Sequence, residues 1–385
     1  MKREEKQPIL LRILALLLTA ALLLGALVLV VYRDRFNLDA LRRWMEYRDL
    51  KTGETGTVEP FSHAGGDRAS FAYLDNGILA ASQSGEWYYS FTGEQYAQQV
   101  ISLERPVVHA AGDTGVVYDV GGDHLSVYRG IERVFQLENV KPGVEVLSAR
   151  INDSGWLALT AQESGFKGSV TVYDNTYEKE IIKVNLSSTF IVDAAISPDC
   201  KTVAVVTLGQ SGDSFQSQVR FYHVNEKEPY AVVSLGNEMP LDLDYENGAL
   251  WVLWESGLTV VDPSGGESSQ YSFGRNYLKG CSLGGDGFAV VLLGRYREGS
   301  ANQVVTVDAA GQELGSQTFN SGVLAVDGAG RYAGVLAGNT LSIFTKDFTP
   351  YSTLEDTQNA RYLSMTKTGA AVLANAQQVW MYLPG

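Results

Sequence analysis

The sequence predicts an all-β fold, an eight-bladed β-propeller preceded by one N-terminal transmembrane helix. Three observations carry this reading. A strand–turn–strand phrase recurs eight times with a period near forty residues. Glycine and tyrosine are abundant (40 and 20) while proline is rare (10), which favours strands joined by tight turns. An uncharged, apolar run of twenty residues lies near the N-terminus. A period of this size with about four short strands per unit is the signature of a propeller blade. A seven-bladed ring is the alternative count. Hydrophobic content of 45% excludes global disorder.

The chain is expected to open with a short basic tail over 1–12. "ILALLLTAALLLGALVLVVY" (13–32) comes next as the transmembrane helix. At about 1.5 Å per residue, twenty residues span roughly 30 Å, the hydrocarbon thickness of a bilayer. A cleavable signal peptide has a shorter apolar region and a small-x-small site, and neither feature is present. Lys2, Arg3, Lys6 and Arg12 precede the run, while Arg33, Arg35, Arg42, Arg43, Arg48 and Lys51 come after it. The basic count therefore does not favour a cytoplasmic N-terminus. A basic tail before an N-terminal span is the pattern of a signal-anchor, which exports the domain on its C-terminal side. The expected location is a single-pass protein of the cell membrane with its propeller outside the cytoplasm. Residues 33–52 are expected to form a juxtamembrane stalk helix. Leu38, Leu41 and Met45 fall on one helical face, and Trp44 suits a membrane–water boundary.

The repeat fills 53–385. Its turn between first and second strands reads "LDNGILAAS", "GDTGVVYDV", "NDSGWLALT", "SPDCKTVAVV", "YENGALWVLW", "GGDGFAVVL", "DGAGRYAGVLA" and "TKTGAAVLA". The marker residues are Gly77, Gly115, Gly155, Cys200, Gly248, Gly287, Gly330 and Gly369. A hairpin turn that needs positive φ takes glycine at almost no steric cost, so the sequence predicts such turns at the markers. The third strands read "EWYYSF", "LSVYRG", "SVTVYDN", "QVRFYHVN", "LTVVDPSG", "VVTVDAAG", "LSIFTKD" and "QVWMYLPG". Asp174, Asp262 and Asp308 at their ends read as turn formers. The last repeat stops after its third strand. A strand from about 56–64 is expected to complete that blade and close the ring, since an unpaired edge invites aggregation.

Charge narrows the function classes. Residues 1–52 carry a net +4 and residues 53–385 a net −18. An acidic domain is repelled by polyanions, which excludes nucleic acid as a partner. Two cysteines and four scattered histidines show no metal-ligand spacing, and no cofactor is expected.

"SPDCKTVAVV" resembles the "SPDGK…A" phrase of WD40-like and TolB-like propellers. The whole chain resembles an uncharacterised bacterial family of single-pass membrane proteins with a propeller-like domain of unknown function. Arg35-Phe36, Leu38, Leu41 and Arg43-Trp44 carry that likeness. The resemblance implies an envelope location and no catalytic residues. The tryptophan-docking phrase of quinone-dependent eight-bladed dehydrogenases is not visible.

Chemistry-bearing phrases are few. "DLDYENG" (242–248) alternates acids in a way that suggests calcium, but glycine falls seventh where an EF-hand loop needs it sixth. "GGDGF" (284–288) has no following helix or lysine and reads as a blade turn. Asp-Thr-Gly at 113–115 and Asp-Ser-Gly at 153–155 are blade turns as well. Cys200 sits where seven other repeats have glycine, which favours a turn residue over a nucleophile.

Loops joining second to third strands, and fourth strands to the next blade, share one face of a propeller. Two long ones are expected there, 209–216 and 294–303. Arg295, Tyr296, Arg297, Arg275, Arg105, His124 and Arg361 are the candidate partner-binding residues on that face. Arginine and tyrosine are enriched at interface hot spots. The expected function is a non-enzymatic, membrane-anchored interaction or scaffold module of the cell envelope, with a protein or envelope partner. The alternatives are an envelope-polymer hydrolase or lyase with a site at the channel mouth, and a ligand-binding sensor.

Overall fold

The computed structural model describes residues 14, 16–20, 23, 38–137, 144–266 and 268–385. It divides into two units, 1–48 and 49–385.

In the first unit, a helix α1 runs over Leu38–Tyr47. Leu38, Leu41, Trp44 and Met45 on it are exposed. The transmembrane helix expected over 13–32 is corrected. Among the described residues no helix is long and apolar enough to cross a membrane. Helix α1, at ten residues, is about 15 Å long, half of the length a bilayer requires. The remainder of 13–32 beyond residues 14, 16–20 and 23 lies outside the described residues. The signal-anchor, the membrane as a partner, the single-pass location and the extracytoplasmic placement rested on that helix and are withdrawn with it. So is the single-pass character of the family resemblance.

The second unit is a ring of eight four-stranded antiparallel sheets. Blades 1 to 7 take their strands in chain order, beginning with Ser70–Leu74, Pro106–Ala111, Val144–Ile151, Phe190–Ile196, Asp242–Glu246, Tyr277–Gly285 and Val323–Ala329. The eighth takes Tyr362–Met365, Ala371–Ala374 and Gln378–Tyr382, then Phe61–Ser62 as its outermost strand. First strands of successive blades neighbour one another around the ring, including those of blades 1 and 8. They therefore line the central axis.

Second and third strands are buried along most of their length, as in "GILAAS" and "GEWYY" of blade 1. Their near-continuous apolar runs pack face to face between neighbouring blades. One such layer, between blades 7 and 8, joins Tyr332, Leu336 and Ile343 to Leu363, Leu373 and Trp380. Fourth strands are more polar because one edge meets solvent, as in Ala231–Gly236.

The closing strand ties the two ends of the domain together. Ser62 pairs with Gln378, His63 N donates to Gln377 O at 3.1 Å, and Val58 N donates to Met381 O at 2.9 Å. This pattern makes Ser62 and Gln378 a non-hydrogen-bonded pair, whose Cα atoms come within disulfide range. Oxidation of the Ser62→Cys/Gln378→Cys variant is expected to cross-link the ring and raise its thermal midpoint by several degrees. Non-reducing electrophoresis and calorimetry check this; a freely reduced pair in the folded protein would contradict the closure.

The marker turns divide into two kinds. Gly155, Gly248, Gly287, Gly330 and Gly369 have positive φ, and Cys200 has φ 58°. Gly77 and Gly115 do not, and lie inside second strands. Close approach fixes Gly77 instead, since a Cβ there would collide with the carbonyl oxygen of Tyr89. Cys200 thus bears the strain that its counterparts avoid. Cys200→Gly is expected to stabilise the domain by up to about 1 kcal/mol, read as a shift in urea midpoint. A loss of stability would show that the Asn152 Nδ2 to Cys200 Sγ contact, 3.3 Å, outweighs the strain.

Asp174, Asp262 and Asp308 accept backbone N–H bonds from residues two positions on, at 2.9, 2.8 and 2.9 Å. They are turn formers. The stretch 209–216, expected as a loop, is instead the end of a long hairpin. Its strands Thr202–Ser211 and Ser214–His223 pair up to Ser211 and Ser214.

Candidate functional site

The antiparallel order fixes two faces. Connections from second to third strands, and from fourth strands to the next blade, lie on one (the upper face). Connections from first to second and from third to fourth strands lie on the other.

Arg295, Tyr296 and Arg297 stand exposed on the upper face, in the connection after Phe288–Gly294 of blade 6. Gly294 ends the strand, and Lys279 Nζ holds the connection by donating to Arg297 O at 2.6 Å. The Arg295 guanidinium lies 6.0 Å from the Tyr296 ring centre. Arg297 comes no nearer than 3.8 Å to Glu255, and both side chains are exposed. Arg275, in the connection from blade 5 to blade 6, is also exposed. These four residues share one sector. Arg105 and Arg361 belong to connections of the same face, between blades 1 and 2 and between blades 7 and 8, and both are exposed.

His124 does not belong with them. It is buried, with Nε2 3.2 Å from Glu86 Oε2, while Tyr128 OH donates to Glu86 Oε1 at 2.9 Å. This buried trio links blades 1 and 2. Position in a connection told where the backbone of His124 lies, not which way the ring turns.

Sequence reasoning missed two features. The first is apolar. Phe166, Phe190, Phe215, Tyr277 and Tyr296 are exposed at upper-face positions of blades 3 to 6. Met239, Leu241 and Leu324 join them between blades 4 and 7. Lys167 Nζ lies 5.0 Å over the Phe190 ring. A cleft of about 250 Å³ between blades 4 and 5 adjoins Met239, lined among others by Leu235, Glu238, Trp254 and Tyr271. Large apolar side chains interrupting a strand–turn pattern were the available signal.

The second is a charged cluster on the axis. Arg150 of blade 3 donates Nε to Asp193 Oδ2 of blade 4 at 2.7 Å and Nη2 to Asp242 Oδ1 of blade 5 at 2.6 Å. Asp242, Asp244 and Glu246 alternate along one strand and so share its axial side. Burial raises the Asp244 carboxyl to about 6, with Arg150 opposing and Asp242 adding to the rise. Burial raises Glu246 to about 7, helped by Asp244 and Asp286. His109 of blade 2 is lowered to about 4, by burial first and by Arg150 second. Across the ring, Asp327 accepts from Ser282 Oγ and Met365 N, both at 2.6 Å, and burial raises it to about 6. The alternating acids of 242–246 were visible in the sequence. Asp193 and Asp242 lie 43 and 92 residues away from Arg150, and their meeting was not.

Among the described residues no group of three His, Cys, Asp or Glu side chains is arranged to hold a metal ion. Cys200 and Cys281 are both free thiols. Burial pushes the Cys281 thiol upward, away from reactivity. Cys200 lies on the face opposite to Tyr296.

The ring of eight four-stranded blades defines an eight-bladed β-propeller. The chain belongs to a family described as a family of unknown function, DUF5711, which its residues 54–350 match. No curated protein matches it. Among solved structures it is similar to Sqt1 of Saccharomyces cerevisiae, at 11% identity and TM-score 0.60, covering 86% of this chain and 100% of that one. It is similar to the C-terminal WD40 domain of Sif2, at 11% identity and TM-score 0.59, covering 85% and 99%. It is also similar to BamB from Moraxella catarrhalis, at 14% identity and TM-score 0.52, covering 85% and 99%. Likeness at such identity is a likeness of fold. The hydrolase or lyase alternative finds no support in these comparisons, and its envelope setting fell with the transmembrane helix.

Proposed function

We propose that the propeller is a non-enzymatic protein-interaction or scaffold module that binds through its upper face. The observation that carries this is the gathering of exposed Phe, Tyr, Met and Leu side chains on that face of blades 3 to 7, beside Arg275 and Arg295–Arg297. Exposed apolar side chains beside arginine and tyrosine on one face are characteristic of interaction sites. Both faces carry exposed acids, such as Asp153, Asp199 and Asp286 on the opposite face and Glu104, Asp213 and Glu355 on the upper one, so the apolar side chains and arginines are what mark the upper face.

The test is co-purification from the native cell with the Arg295→Ala/Tyr296→Ala/Arg297→Ala variant. A partner retained by wild type and by a Lys179→Ala control is expected to be lost from the triple variant. Undiminished recovery would overturn the assignment of the face. All three side chains are exposed, so their removal leaves the core untouched.

A further inference from the structure

The chemistry of this face narrows the partner. The inference rests on the upper face being the interaction surface, and specifies the ligand it accepts. Residues 53–385 carry a net −18, so a random exposed patch is expected to be acidic. The blade 6 sector is not: its cations outnumber the exposed Glu298 of the same connection and Glu255 beside it. Arg275, Arg295 and Arg297 are exposed and Lys279 is half-buried beside them. Among the described residues no carboxylate pairs with Arg275 or Arg295, and Glu255 approaches Arg297 only to 3.8 Å. Arg275 and Arg295, cations without a carboxylate partner on a domain of opposite net charge and next to exposed rings, are placed for a ligand's charges.

The apolar component adjoins this sector on one side. Tyr277 and Tyr296 stand within it. Leu241 and Met239 come next toward the cleft between blades 4 and 5. Phe215 projects beyond, at the tip of the long blade 4 hairpin. The cleft volume of about 250 Å³ admits a side chain or two, not a folded domain. Its wall is mostly polar, with Asn237, Glu238, Ser256 and Gln270, so the apolar contacts for an anchor come from Met239, Leu241 and Phe215 beside it.

We infer that the upper face binds a polypeptide segment of another protein, with apolar anchors lying along blades 4 and 5 and acidic side chains meeting Arg275, Arg295 and Arg297 at blade 6. Each element has a stated partner: rings and aliphatic groups for the anchors, and for the acids the guanidinium groups of Arg275 and Arg295, with that of Arg297 beyond its exposed contact with Glu255. Such a segment brings affinity by apolar burial and orientation by charge.

The experiment is selection of displayed random dodecapeptides against the immobilised full chain, with titration of a synthetic peptide from the enriched set. The expected peptides combine Phe, Leu or Trp with flanking Asp or Glu. Binding is expected to weaken at least about 10-fold in Arg275→Glu/Arg295→Glu/Arg297→Glu and to recover when the peptide acids are changed to lysine. Phe215→Ala/Leu241→Ala is expected to weaken it without changing its salt dependence. Basic or uncharged enriched peptides, or no enrichment, would overturn the inference. So would charge reversal without effect, or a concentration-dependent dimer lost on Tyr296→Ala, which would make a second copy the occupant. If co-purification is still lost from the Arg295/Tyr296/Arg297 alanine variant, the interaction face stands and only the partner chemistry falls. If neither assay responds, the face itself falls.

Discussion

Replacing Arg150 by alanine is expected to lower the stability of the propeller by about 3 kcal/mol, read from the urea midpoint at neutral pH. The loss is not that of two salt bridges on a surface. Arg150 has 19% side-chain exposure and Asp193 13%, and the guanidinium bridges strands from three blades. Without it Asp193 and Asp242 face each other and Asp244 with no cation between them. Removing one member of a mostly buried ion pair leaves the others charged and uncompensated, which costs about 3–5 kcal/mol. The lower end applies here because Asp242 is 42% exposed and solvent screens it. Arg150→Lys is expected to recover part of the loss, since an ammonium replaces the charge but not the two-sided fork. A change below about 1 kcal/mol for the alanine variant would show that solvent already screens these carboxylates.

The second large effect is on pH dependence. Asp244, Glu246 and Asp327 have folded-state values of about 6, 7 and 6, above those of the unfolded chain. A carboxyl raised by folding contributes stability that is complete below the unfolded value and lost as pH rises through the folded one. These three therefore weaken the propeller between pH about 4 and about 7. His109 opposes them: at about 4 in the fold, it contributes stability present above its unfolded value and lost as pH falls through the same window. Turn aspartates Asp174, Asp199 and Asp347 are lowered, foremost by hydroxyl donors at Thr176, Ser197 and Thr345, and lose their contribution only in acid.

Three groups against one place the stability maximum near pH 5 rather than at 7 or above. Asp244→Asn/Glu246→Gln is expected to flatten the fall from pH 5 to 8. It is expected to raise stability at pH 8 by on the order of 1–3 kcal/mol. The groups facing this pair are Arg150, Asp242, Asp153, Asp286 and Lys367, none of which the variant alters. Urea titrations at pH 5, 6.5 and 8 decide it. A wild-type curve that climbs steadily to pH 8 would contradict the raised carboxyls.

Three buried or half-buried polar clusters link blades around the ring. Glu86 with His124 and Tyr128 joins blades 1 and 2, Arg150 joins 3, 4 and 5, and Asp327 joins 6, 7 and 8. Further bonds between blades, such as Tyr362 OH to Phe71 O and Asn152 Nδ2 to Ser197 O, add to them, whereas the apolar layers specify contact but little register. Directional bonds between neighbours supply register.

Blade number and blade order were legible because they rest on local chemistry. A turn at positive φ selects glycine whatever lies around it, and a strand buried on both sides must be apolar. Both signals recur once per blade, so eight occurrences outweigh irregularities such as Cys200. Even so, the reason for one glycine differs from the expected one, since Gly77 is demanded by the carbonyl of Tyr89 and not by its own backbone angle. The hairpin at 209–216 reads as a loop because polar, glycine-bearing strand ends look like one until their partner strand is known. The transmembrane reading was an inference from composition alone, and among the described residues no helix is long and apolar enough to cross a membrane. The pattern of the residues also placed Arg275 and Arg295–Arg297 on one face, because strand order fixes which connections share a side.

Side-chain direction and distant neighbours stayed hidden. Nothing local says that His124 turns inward to Glu86. Nothing local says that Arg150 reaches past the adjoining blade to Asp242. Period-two alternation tells that Asp242, Asp244 and Glu246 share a side of their strand. Only closure of the ring sets that side against strands of other blades, where partial burial raises the carboxyls of Asp244 and Glu246. Order along the chain therefore settles the repeating blade, the acidic character of the domain and the side on which its connections lie. Packing in three dimensions settles which charges meet and which rings stay in solvent, because those depend on contacts between residues a blade or more apart.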